Sequence, residues 1–248
     1  MQMRSVPAGR GWQWIIEGFL LFRKHPLVWI ALIVVMLAIF WFAAALIPPL
    51  GSLAVSLLMP VFFAGLMVAC RETDEDREPV IGHLFATFKT HAAPLVTVGG
   101  IYLAGNIIAV GITFGIAGDS AMPALMSKSA DIETMRQAMR GLTSGLLVGM
   151  AFFLPVLMAV WFAPLLIVFG HLPPVAAMKL SFVACLHNTM PFLVYGVATL
   201  ALLFIASIPM MLGLIVLLPV LVCSIYAGYK DIFPADETPL PQPDLPQG

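Results

Sequence analysis

Charged side chains are scarce in this chain: Asp, Glu, Lys and Arg make up 10% of its 248 residues, and the formal net charge is −1. That removes the electrostatic case for a nucleic-acid partner, whose phosphates call for a basic surface. Cysteine is nearly absent as well. Cys70, Cys185 and Cys223 are an odd three with no CxxC pair, so neither a disulfide framework nor a zinc site is expected, and they read as small buried hydrophobes. P-loops, nucleophile elbows, HExxH and dinucleotide fingerprints are missing. The acidic stretch 72–78 lacks the spacing and the glycine of a calcium loop. No cofactor and no enzymatic activity are expected.

What fills the chain is hydrocarbon. Hydrophobic residues reach 61% and the mean hydropathy is +1.01, more apolar surface than a soluble domain can bury. The expected fold is an all-α membrane protein with six transmembrane helices, at about 27–47, 51–70, 94–115, 142–169, 191–208 and 210–229. Residues 1–233 read as a single membrane domain. The Pro-rich, acidic tail 234–248 lacks aromatics and is expected to be disordered. Arg4 and Arg10 lead into an amphipathic stretch rather than a signal-peptide core, so the first apolar run is expected to stay as a span.

The spans fall into three similar units, about 12–70, 79–170 and 174–230. Each is read as an interfacial amphipathic helix (12–24, 79–90, 175–186) followed by a transmembrane hairpin. A His precedes each hairpin, His25, His91 and His187, with a Pro within four positions after it. The later span of each pair carries a similar core: LLMPVF (57–62), FFLPVL (152–157) and VLLPVL (216–221). The prolines of these cores, Pro60, Pro155 and Pro219, are candidate helix breaks, because Pro removes an internal hydrogen bond.

Several side chains are singled out. Trp12, Trp14 and Trp29 suit the headgroup layer, where a ring sits half wet. The three histidines read as interfacial boundary residues rather than metal ligands, since triplication alone accounts for their number. Gly141, Gly145 and Gly149 repeat at intervals of four in the fourth span, as do Gly111 and Gly115 in the third, and tight packing of these two spans is expected. Asn106 is expected to make an interhelical hydrogen bond. Nine of the twelve basic residues fall on one side of the spans, leaving Lys128, Arg136 and Arg140 on the other, so both termini are expected in the cytoplasm.

The opening unit, WIIEGFLLFRKHPLVW (14–29), resembles the "W…F-[KR]-x-x-P" start of several uncharacterised bacterial multi-span membrane families. More loosely, the chain is similar to the membrane domain that accompanies some glycerophosphodiester phosphodiesterases. The resemblance implies a bacterial inner-membrane location and carries over no catalytic residue. On function, the mid-membrane sequence has no ionisable side chain, which argues against ion-coupled transport. A non-catalytic scaffold or accessory subunit is expected, with membrane lipids, a protein partner or further copies of the chain as its contacts. The alternative is a permease or channel for a small neutral or lipidic solute, favoured by the proline in each second span.

Overall fold

The computed structural model describes residues 3–46, 48, 50–118, 121–127 and 131–234. The expected tail, part of the turn at Pro48-Pro49 and Lys128 of the charge count lie outside the described residues. In chain order the helices are α1 (Arg10–Lys24), α2 (Pro26–Leu46), α3 (Leu50–Asp74), α4 (Ala92–Ala117) and α5 (Ala121–Met126). There follow α6 (Ile132–Trp161), α7 (Ala163–Val168), α8 (Pro174–His187), α9 (Thr189–Ser207) and α10 (Leu214–Ile232). Among the described residues, six segments are long and apolar enough to cross a membrane: α2, α3, α4, α6 continued by α7, α9 and α10.

Two local expectations change. Residues 79–90 do not form an amphipathic helix. Val80 is extended and a short 3-10 turn, Ile81–Phe85, follows it. The segment is pinned to α3 instead: Thr87 donates to the Val61 carbonyl at 2.8 Å, and a Cβ on Gly65 would lie 2.5 Å from the His83 carbonyl oxygen. Helix α8 does form, but it is not amphipathic. Ala177, Ser181 and Ala184 are buried while Val175 and Leu186 are exposed, so apolar residues surround it. The polar stretch before the fourth span is continuous with that span, and Asp131 caps it by accepting from the Thr134 N–H at 3.1 Å.

The long fourth span runs through Pro155 and breaks at Phe162. Buried Ser181 supplies the reason. Its hydroxyl donates to the Met158 carbonyl at 2.7 Å and accepts the Phe162 N–H at 3.0 Å, taking the place of the direct helical bond between them. Pro164, two residues on, has no N–H to resume the ladder, and α7 begins as a separate helix at Ala163.

Both described chain ends meet on one face of the molecule, where the Arg4 N–H donates to the Ile232 carbonyl at 2.9 Å. Burial is concentrated toward this terminal face. In α2 only Trp29, Leu32 and Ile33 are buried, and in α3 nearly all the buried residues follow Pro60. On the opposite face the helices turn back as three hairpins, α2–α3, α4–α6 and α9–α10. Within each hairpin a glycine lets the backbones touch: Gly51 against Ala43, Gly145 against Thr113, Gly213 against Ala206. Between hairpins that half stays open. Lipid tails are as apolar as the side chains they would lose, so bringing exposed Phe204, Leu147 and Trp41 together gains little.

Candidate functional site

Where the hairpins diverge, α3, α4, α6, α7 and α10 border a partly open chamber of about 220 Å³. Its walls include Ser56, Pro60, Tyr102, Leu157, Trp161 and Ile225. Pro60 lies near the middle of the 25-residue α3, so the chamber reaches mid-membrane depth. Pro60 has no N–H to offer the Ser56 carbonyl, which therefore loses its helical donor at the chamber wall. Leu157 and Trp161 are shared with a second, lateral cleft of about 600 Å³ between α6, α8 and α9, lined by Met158, Thr189, Phe192 and Leu200 among others. The Thr199 hydroxyl, also on this cleft, is buried without a hydrogen-bond partner among the described residues. Chamber and cleft together lie in the range of roughly 300–1,000 Å³ usual for small-molecule sites.

Toward the terminal face the space is closed by rings. Trp161 packs edge-on to Phe192 at 5.9 Å, and Phe162 packs on Phe192 and Phe233 at 5.8 and 5.6 Å. Chemically the cavity is a dry slot with few polar groups. It suits an apolar or neutral body and offers no charge to an ion.

The residues singled out in the sequence scatter around this site. Pro60 lines the chamber. Pro155 is exposed beside a separate groove against α8, and Pro219 is buried in α10. Gly145 and Gly149 press on Thr113, and Gly141 on Ala117. Gly111 and Gly115 take no part in that contact. They face outward, where an added Cβ would meet nothing within 4 Å, because the α4 face that touches α6 is Ala109, Thr113 and Ala117. Asn106 is half-buried and makes no side-chain hydrogen bond among the described residues. Trp12 is 44% exposed, but Trp14 and Trp29 are buried against the rest of the protein rather than half wet. His25 ends α1, His91 stacks on His171 at 6.3 Å, and exposed His187 bonds the Val183 carbonyl within its own helix. Among the described residues, no three His, Cys, Asp or Glu gather as a metal site.

A polar cluster on the terminal face escaped the sequence reading. Asp231, with a side chain 5% exposed, accepts from Arg4 at 2.6 Å, Arg10 at 2.5 Å and the Trp14 indole N–H at 2.9 Å. Its hydrogen bond is the main reason the Arg10 guanidinium is held above its ordinary pKa. Buried Asn188 fastens the chain start from the other side. Its amide accepts the Val6 N–H at 2.9 Å and donates to the Arg4 carbonyl at 3.2 Å. Glycines complete the seat of α1: Gly11 lies against the Pro191 carbonyl and Gly18 against the Val220 and Ser224 backbone.

With six spans, a sealed terminal half and an open hairpin half in view, comparison with known proteins adds one finding. The chain is 29% identical over 275 aligned residues to a "probable inner membrane protein" of Burkholderia thailandensis, covering 98% of this chain and 97% of that relative. No family model and no solved structure matches it. This is a multi-pass inner-membrane protein. The alignment covers nearly the whole of both chains, so the similarity is not confined to one hairpin.

Proposed function

We propose that this inner-membrane protein binds a small neutral or lipidic solute in the chamber between its hairpins and passes it between bilayer and terminal face. The chamber at Pro60 carries this reading, because a non-catalytic scaffold needs no cavity at mid-membrane. The lateral cleft gives a bilayer molecule a route in, and the Trp161–Phe162–Phe192 stack is the closed end of the path. The looser likeness to the membrane domain accompanying glycerophosphodiester phosphodiesterases is in keeping with a lipidic solute, and brings no catalysis with it.

Positive charge on the terminal face supports its orientation toward the cytoplasm. The three hairpins, with a helix before the first and third (α1 and α8) and a 3-10 turn before the second, are in keeping with an origin by threefold repetition. A scaffold role is the second reading, supported by α1 lying against α9 and α10 with Trp12 and Phe19 still open to a neighbour.

Native mass spectrometry of protein extracted in its own lipid patch decides between the two. The solute reading expects one defined apolar molecule on the wild type and its loss from Ser56→Phe, which fills the chamber. A stoichiometric protein partner, with no small molecule retained by either form, would sink it in favour of the scaffold.

A further inference from the structure

A second cavity, of about 460 Å³, opens on the terminal face between α1, the end of α3 and the end of α10. Its chemistry is the reverse of the chamber's. Four cations border it: Arg4, Arg10, Lys24 and Lys230. The carboxylates facing them are Glu17, Asp74 and Asp231, so four against three leaves one net positive charge. Asp76 also bonds Lys24, but it stands outside the cavity with its side chain 84% exposed, where water screens it.

Each of the three carboxylates is already engaged, Asp231 by Arg4, Arg10 and Trp14, Glu17 by Arg10, and Asp74 by Lys230. What remains is donor capacity. Nη1 of Arg4 and of Arg10 has no partner among the described residues. The Lys230 ammonium uses one hydrogen bond of three, and that of Lys24 two. A cavity with spare N–H donors, carboxylates each already held by a cation, and a single excess charge is complementary to a singly charged oxyanion with several acceptor oxygens. A phosphodiester has that form.

We propose that this cavity binds a phosphodiester, supplied by the headgroup of an anionic glycerophospholipid in the leaflet of the terminal face. The apolar wall points to the lipid as the source. Leu20 and Leu21 line the cavity, and Leu20 is 47% exposed on the helix that also exposes Ile16 and Phe19. An acyl chain leaving the headgroup there meets hydrocarbon immediately. The site is independent of the mid-membrane chamber and stands or falls separately from it.

The test uses the full chain in nanodiscs of phosphatidylcholine, with and without phosphatidylglycerol, read by native mass spectrometry and by melting temperature. The wild type retains one phosphatidylglycerol and melts higher in its presence. The Lys24→Gln/Lys230→Gln variant keeps the Arg–Asp231 clamp and holds phosphatidylglycerol about tenfold less tightly, its own melting temperature in phosphatidylcholine alone being the reference for the shift. Lys24→Arg/Lys230→Arg restores retention. Should the double glutamine variant not fold, Lys24→Gln alone is read the same way. Millimolar inorganic phosphate distinguishes the source: raising the melting temperature in phosphatidylcholine as phosphatidylglycerol does assigns the site to a soluble phosphate, and no effect assigns it to the lipid. Equal retention of phosphatidylglycerol by wild type and glutamine variant overturns the proposal, as does an absence of response to both anions.

Discussion

Asp231 shows how much one residue holds. Three donors from the first fifteen residues converge on it, and its removal strands two guanidiniums and a buried indole N–H. Asp231→Asn is expected to destabilise the protein in detergent by about 1–3 kcal/mol, measured as a shift in its unfolding midpoint. Arg4→Gln costs less, under about 1 kcal/mol, because the Arg4 side chain is 57% exposed and water already screens its pair. None of this was legible in the sequence. Asp231 follows Lys230 at the end of an apolar run and reads as an ordinary boundary charge; its partners lie more than two hundred positions away. Trp14 misled for a related reason. Composition places a tryptophan near a headgroup layer, but only tertiary contact shows which rings are buried.

At the scale of the helix, length and hydropathy identify spans well, because about 20 apolar residues have no other economical use. All six spans were therefore legible, with ends displaced by a few residues except at the fourth, whose helix starts at Ile132 and not near 142. Faces were not. A four-residue glycine interval marks a stripe on a helix without saying which neighbour meets it, and α4 turns its Ala109–Thr113–Ala117 stripe to α6 instead of Gly111–Gly115. The two stripes make a paired prediction. Gly145→Leu collides with the Thr113 carbonyl and is expected to lower the detergent melting temperature, at a cost of about 1–3 kcal/mol. Gly111→Leu enters open space and should leave melting unchanged. Equal effects from both would contradict this packing of α4 on α6. The segment 79–90 failed as a helix for a local reason: Pro79, Gly82 and two threonines weaken the helix that its apolar spacing suggested.

For the whole molecule, the absence of mid-membrane charge was the most informative sequence feature, and the chamber agrees with it in being almost wholly apolar. The chamber itself was not legible. It exists because three hairpins diverge, and divergence depends on contacts that are not made. Pro60, a candidate helix break in the sequence, and the fourth span split by Ser181 shape its walls. The arrangement also fixes the relation of the two chain ends. Because Arg4 and Ile232 are hydrogen-bonded, reporters fused at either end are expected to respond alike to a membrane-impermeant reagent, on the cytoplasmic side by the charge distribution. Labelling of one end without the other in sealed inverted vesicles would contradict the topology.

The seat of α1 has a consequence for how the protein is made. Lys24 at the end of α1 reaches back to Thr73 and Asp76, but the partners of the helix body, Pro191, Tyr195, Val220, Ser224 and Asp231, belong to the last quarter of the chain. The ribosome therefore delivers α1 first and its docking site last. Through most of synthesis, Trp14 and both glycines of that helix wait without the surface they fit, and the fold is closed only after the final span has been inserted. A ribosome stalled before residue 188 would leave behind two inserted hairpins and an undocked, amphipathic N-terminal helix, a target that membrane quality control can tell from the finished protein.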